Sequence, residues 1–572
     1  VKVTSATTLD NVVLGLTGAT GAANSLSVEM TATGAVGTHT LNLDVAGLET
    51  LNIASKDTDG TAVDLAGMVP TTGSTGTVNI TGAGALTITA MDTGINVIDA
   101  SAATGALTVA AAARDADLYT ITGGSADDTI ALENGGDILD GGAGTGDNLV
   151  VDFTAILGGI NVDLSQTDQI TSMDGGTNAA VQSNFESVDV SAFSGFGAVV
   201  VGSAGANTIV GAAAASNLTG AAGNDIITGG AGADIIGGGT GDDTLSGAAA
   251  IDTITGGAGA DIITGGGAAD IIDGGAGNDV LIYVATADLV ASSAVVDSVD
   301  GGAGTGDAIS ISNNGGATFT IAIADDFARM SNVEKIVATG ATNKIITITT
   351  HADVVTDGIT TIDLSADTLA TSDNVIDVDA VTGSVGMTLT GSAGIDTFTG
   401  TDWVDTIDGG AGADIIGGGS GADIITGGLG ADVITGGAGD DQIILTESIA
   451  AIDTVIVTTV AIAGTDTITG LTINQDLIKH GLSEITAAYT DDTAADYSGQ
   501  ATLAAAAAAS TAAVEAANNG AWATVGDVAA FSYDSKKYVA ISTGTNIWTT
   551  ADQLIEIVGV TMSTIDIAEF IT

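Results

Sequence analysis

Seven aspartates stand nine residues apart along one stretch of the chain: Asp225, Asp234, Asp243, Asp252, Asp261, Asp270 and Asp279. A second series keeps the same spacing at Asp396, Asp405, Asp414, Asp423, Asp432 and Asp441, and a short one holds Asp128 and Asp137. Each aspartate is the sixth residue of a nonapeptide such as GGAGADIIT (256–264), mostly with small residues before it and always with an aliphatic or aromatic residue two places after it. One carboxylate per turn, beside main-chain carbonyls, is a hard oxygen donor set suited to Ca²⁺ rather than to Zn²⁺ or copper. The chain holds no cysteine, which excludes thiolate metal sites, thiol nucleophiles and disulfide scaffolds.

The glycine half of the unit must make a tight turn, because its backbone angles are cheap only for Gly. The D-x-U-x half, with U aliphatic, alternates and reads as a very short strand. Two turns and two strands make one coil, and stacked coils make two parallel sheets about 4.8 Å apart strand to strand. The U positions Ile227, Ile236, Leu245, Ile254, Ile263, Ile272 and Leu281 are expected to point inward. Positions two, four and six share one side of the turn, so carbonyls of positions two and four accompany the aspartates. At position two these are Gly230, Gly239, Gly257, Gly266, Gly275, Gly410, Gly419, Gly428 and Gly437. At position four they are Gly223, Gly232, Gly241, Gly259, Gly277, Gly394, Gly412, Gly421, Gly430 and Gly439. With a neighbouring turn they form a cage of roughly six oxygens, within the coordination range of Ca²⁺. Ala248, Ala250, Thr401 and Trp403 depart from the glycine pattern, and weaker binding is expected there.

Stacked aspartates repel unless cations lie between them, and Gly-rich turns lose the most entropy on ordering. Binding free energy is then folding free energy, and the blocks are expected to be disordered without Ca²⁺ and rigid with it.

Length and composition set the frame. The 572 residues allow several domains. Lys plus Arg number 9 against 70 Asp plus Glu, a net charge of −61. So few cations cannot neutralise a phosphate backbone or dock on an anionic bilayer, so nucleic acid and membrane surfaces are excluded as partners. Hydrophobic residues make up 45%, too many for a disordered acidic chain, while aromatic residues are only 3%. A thin core of Val, Ile, Leu and Ala follows. No run is long and apolar enough to span a membrane. No basic segment followed by an apolar one opens the sequence, so no N-terminal secretory signal is visible, and a start at Val1 suggests a fragment or processed form.

The expected fold is all-β, a parallel β-roll or β-solenoid with a small C-terminal region containing one helix. The repeats divide the chain into a β-rich solenoid or sandwich segment (1–122), a short block (123–149), a β segment (150–201), a block (202–282), a β segment (283–390), a block (391–444) and a C-terminal region (445–572). A looser motif recurs as GLETLNIAS (47–55), NFESVDVSA (184–192) and NVEKIVATG (332–340), and GGAGTGD closes at both Asp147 and Asp307. Asp57, Asp59, Asp325 and Asp326, outside the blocks, are further candidates to hold Ca²⁺, with solvated turn charge as their simpler reading. Residues 501–518 carry the one long helix signal, ended by Asn519-Gly520, and FSYDSKKYVAIS (531–542) reads as a hairpin.

Catalytic signatures are missing. His39, His351 and His480 sit in no H-E-x-x-H, and neither G-x-S-x-G nor a P-loop occurs. A non-enzymatic role is expected.

The pattern G-G-x-G-x-D-x-U-x resembles the calcium repeat of RTX proteins. The composition, the several blocks and the helix–hairpin ending look like the RTX-type surface-layer proteins of Gram-negative bacteria, such as that of Caulobacter. That resemblance implies type I export through an uncleaved C-terminal signal, folding in extracellular calcium, and self-assembly into a lattice on the cell surface. It also implies anchoring to cell-surface polysaccharide or lipopolysaccharide through an upstream part. An RTX adhesin or matrix protein, or the non-catalytic portion of a secreted enzyme, are the alternatives.

Overall fold

The D-x-U-x halves form strands, and the structure shows why the period is nine while the coil is eighteen. Strands Ile226–Gly230, Thr244–Ala249 and Ile262–Gly267 pair in parallel with Ile227, Leu245 and Ile263 aligned. Strands Ile235–Thr240, Thr253–Ala258 and Ile271–Ala276 do the same with Ile236, Ile254 and Ile272 aligned. Successive nonapeptides therefore alternate between two sheets. The seven aliphatic U residues of this block are all buried, at 2% exposure or less. Each is worth about 1.5–3 kcal/mol of apolar transfer, which a single coil could not convert into a stable fold.

The computed structural model describes most of residues 24–480. Its longest interruptions are at 32–38, 70–74, 111–117, 152–157, 312–318, 323–328, 339–345, 351–357, 446–450 and 458–464. Outside that span it describes strands Lys2–Thr4 and Asn11–Thr17, residues 507–509, and strands Val528–Tyr533, Lys536–Ile541 and Gln553–Val558. Two units divide the chain, Val1–Val280 and Leu281–Thr572.

In the first unit the solenoid runs on through segments without nonapeptides. One sheet passes through Thr61–Val69, Leu86–Met91, Leu107–Val109, Thr129–Leu132, Asn148–Val151, Ser187–Asp189, Thr208–Val210 and Ile226–Gly230, every pairing parallel. Facing strands Thr50–Ser55, Gly76–Gly82, Ile95–Ala103, Thr120–Thr122 and Ile138–Asp140 are parallel as well. Earlier in the same segment Lys2–Thr4 pairs antiparallel with His39–Ala46, and Asn11–Thr17 antiparallel with Ser25–Thr31.

The second unit repeats the plan. Ala308–Ile311, Lys335–Ala338, Thr361–Asp363, Thr388–Thr390, Thr406–Asp408, Ile424–Thr426, Gln442–Ile444 and Thr465–Thr469 form one parallel series. Phe319–Ile321, Ile346–Thr349, Asn374–Asp377, Asp396–Thr399, Ile415–Ser420, Val433–Ala438, Thr454–Val457 and Leu477–His480 form the other. The expected hairpin exists, with Val528–Tyr533 antiparallel to Lys536–Ile541 and Phe531 opposite Tyr538. Gln553–Val558 joins it to the solenoid strand Thr465–Thr469. Of the helix expected over 501–518, residues 507–509 are described and helical, and Ala507 packs with Tyr538, Ala540 and Leu554. The remainder of that helix, Asp57, Asp59, Asp325, Asp326, His351 and the side chains of His39 and His480 lie outside the described residues.

Candidate calcium columns

Glycine at positions two and four is required by both conformation and space. Gly257 has φ +118° and Gly259 φ +141°, in the region that side chains rarely enter. A Cβ on Gly257 would stand 2.1 Å from the carbonyl oxygen of Gly239, and one on Gly259 2.0 Å from that of Gly241. Those two distances place the carbonyl oxygens of positions two and four along the stack, against the next coil. Ala221, Ala248, Ala250 and Ala268 hold positive φ in place of glycine, at +80°, +78°, +72° and +102°. The departures at 248 and 250 therefore keep the turn and carry strain. Gly232 and Gly394 are not among the residues with positive φ.

The aspartates form ladders one coil apart. The Asp243 N–H donates to Asp261 Oδ1 at 2.8 Å, the Asp234 N–H to Asp252 Oδ1 at 2.7 Å, and the Asp225 N–H to Asp243 Oδ1 at 2.7 Å. In the second unit the Asp396 N–H reaches Asp414 Oδ1 at 2.8 Å and the Asp423 N–H reaches Asp441 Oδ1 at 2.9 Å. One oxygen of each carboxylate is thereby used to hold the stack in register. The other is left over. Oδ2 of Asp225, Asp234, Asp243, Asp252, Asp261, Asp414, Asp423 and Asp441 is buried with no hydrogen-bond partner. An unpartnered buried anionic oxygen carries a large desolvation penalty, repeated here once per half-coil.

Other turns of the same series are satisfied by protein. Asp128 Oδ2 accepts the Gly124 N–H at 2.5 Å. Asp396 Oδ2 accepts the Ser392 N–H and Asp405 Oδ2 the Thr401 N–H, each at 2.6 Å. Asp137 takes the Tyr119 N–H at 2.9 Å. Asp270, Asp279 and Asp432 are buried on the same columns, their Oδ1 atoms accepting the N–H groups of Asp252, Asp261 and Asp414.

Burial raises these carboxylates above the usual 3.8, main-chain N–H bonds partly oppose it, and neighbouring column carboxylates add to it. Asp414 is pushed up to about 8, Asp423 to about 7, and Asp225, Asp252 and Asp261 to about 6. Among the described residues no three or more Asp, Glu, His or Cys side chains converge on a point. Carboxylates alone therefore make no cage, and main-chain carbonyls must supply the rest. The donors present, a leftover carboxylate oxygen with stacked carbonyls, fit Ca²⁺. When bound, the ion supplies the positive charge that the columns lack.

The ladders also extend beyond the legible repeats. The Asp432 N–H donates to Asp453 Oδ1 (2.9 Å), the Asp441 N–H to Asp466 Oδ1 (3.1 Å) and the Asp453 N–H to Asp476 Oδ1 (3.1 Å). Sequence separations of 21, 25 and 23 break the period of nine, so these continuations carry no periodic signal. Burial, with Asp441 and Asp440 nearby, pushes Asp466 up to about 7.

The family model for the RTX calcium-binding nonapeptide repeat matches residues 120–146, 210–245, 246–281, 390–425 and 417–446. These spans cover well under half of the chain and coincide with the aspartate ladders. A comparison with curated proteins finds no match. The repeats are calcium-binding repeats of a type typical of secreted proteins, and Ca²⁺ is their cofactor. No helix among the described residues is long and apolar enough to cross a membrane.

Proposed function

We propose that this chain is a non-catalytic structural protein that folds on calcium outside the cell and self-assembles into a two-dimensional surface layer. The observation that carries the reading is the set of buried Oδ2 atoms with no partner, eight of them in the two long blocks. Such a stack is costly while the ion is scarce and is relieved where the ion is abundant. Extracellular calcium modules work around 10⁻⁴–10⁻³ M, which suits a chain exported unfolded and ordered outside. Two further features support assembly. A net charge of −61 makes copies repel until divalent ions lie between them. The solenoid also carries outward aliphatic residues, among them Ile226, Ile235, Ile262 and Ile271, each more than 40% exposed.

Electron microscopy of the purified chain with millimolar calcium, and again with chelator, tests this. A periodic sheet that dissolves on chelation is expected. Dispersed particles under all calcium conditions would refute the lattice.

A further inference from the structure

Two sequence motifs that look unrelated meet in the structure. The GGAGTGD turn ending at Asp147 is followed one coil later by Glu186 of the NFE motif, and the Asp147 N–H donates to Glu186 Oε2 at 2.9 Å. The Glu186 and Ser187 N–H groups return to the Asp147 carbonyl at 3.0 and 2.9 Å. Asn184, at φ +58°, bonds through Nδ2 to Asp140 Oδ1 at 2.7 Å. In the second unit the same motifs make the same contacts. The Asp307 N–H donates to Glu334 Oε2 at 2.8 Å, and the Glu334 and Lys335 N–H groups reach the Asp307 carbonyl at 3.0 and 3.2 Å. Asn332, at φ +53°, bonds to Asp300 Oδ1 at 2.7 Å. The paired residues lie 39 positions apart in one case and 27 in the other, so the geometry is kept while the length is not.

Glu186 occupies the place that the next aspartate holds in a regular coil. The Asp128 N–H donates to Asp147 Oδ1 at 2.6 Å, so the column runs Asp128, Asp147, Glu186. A second observation points to a ligand. Asp147 is fully buried, and its Oδ2 has no hydrogen-bond partner. A Cβ on Gly144 would stand 2.5 Å from Asp147 Oδ1, 2.8 Å from that Oδ2 and 2.8 Å from the Ala126 carbonyl oxygen, so the carboxylate and a main-chain carbonyl converge beside Gly144.

We propose that each Asp–Glu pair, Asp147 with Glu186 and Asp307 with Glu334, is a divalent-cation site that binds Ca²⁺ where a repeat turn gives way to a long loop. Only residues 120–146 of the first pair's surroundings fall in the repeat family match, and none of the second pair's do. The inference rests on the reading that the aspartate columns take calcium. Its physical logic is that a large excursion removes the next-coil aspartate, and the longer glutamate restores the charge and the N–H acceptor.

Native mass spectrometry of the full chain in calcium counts the ions. The variants are Glu186→Gln, Glu334→Gln and the two combined, because glutamine keeps an oxygen for the aspartate N–H and removes only the charge. The expected result is one ion fewer in each single variant and two fewer in the double, with the calcium-induced circular dichroism change within about twofold of the wild-type midpoint. An unchanged ion count overturns the proposal. Loss of many ions together with the dichroism change also overturns it, since the glutamates would then be structural supports. A wild-type chain that binds no calcium refutes the reading of the columns themselves.

Discussion

Replacing Gly259 by alanine puts one methyl group where two coils meet. At φ +141° the backbone strain for a residue with a side chain is about 1–3 kcal/mol. The Cβ would also lie 2.0 Å from the Gly241 oxygen, so the coils must part, and such overpacking costs about 1–3 kcal/mol more. The combined loss is about 4 kcal/mol. Folding and calcium binding are linked, so this loss appears as a higher calcium requirement. Spread over a cooperative block of about six ions, at 1.4 kcal/mol per tenfold, it moves the calcium midpoint up about threefold. Gly237→Ala is the control: an added Cβ there meets nothing within 4 Å, and no shift beyond about 0.5 kcal/mol is expected. Far-UV circular dichroism across a calcium titration reads both. Equal midpoints for Gly259→Ala and wild type, or the same shift in the Gly237 control, would show that close coil stacking does not govern folding.

Ala248→Gly with Ala250→Gly releases positive φ at +78° and +72°, about 1 kcal/mol per site, and a lower calcium midpoint is expected in the same titration. Ile254→Ala empties a fully buried U position and costs about 2–5 kcal/mol in thermal unfolding with calcium, whereas Ile235→Thr, on the 55% exposed face, stays within about 0.5 kcal/mol. For pH, burial raises Asp414 to about 8, Asp423 to about 7 and Asp225, Asp252 and Asp261 to about 6, all above 3.8. The coil therefore prefers these groups protonated, so ion-free coil stability is full below about pH 4 and is lost as pH rises towards 8. Chelated protein should gain β-sheet dichroism on acidification through that window, while the calcium midpoint rises because protons compete. A flat dichroism signal for the chelated chain from pH 8 to 4 would contradict the burial of these carboxylates.

Much of this protein could be read without coordinates. Aspartates at intervals of nine, glycines two and four places into each unit and an aliphatic residue at position eight imposed short strands, an inward column and a hard oxygen site, because each property depends on residue type and short-range spacing. The hairpin around residues 534–535 was legible for the same reason, as a local pattern. Other features were set by neighbours one coil away. The sequence marks the Asp405 turn as irregular through Thr401 and Trp403, but that Asp405 Oδ2 takes the Thr401 N–H while Asp261 Oδ2 has no partner is decided by how the turn closes. Nor does it join Asp147 to Glu186 or Asp441 to Asp466, because the separations of 39 and 25 obey no period. Parallel strands register through main-chain hydrogen bonds between adjacent coils, and those bonds are indifferent to the length of loop that connects them. Periodicity therefore reveals the columns only where the loops are equal, and stacking alone carries them through the places where the loops are not.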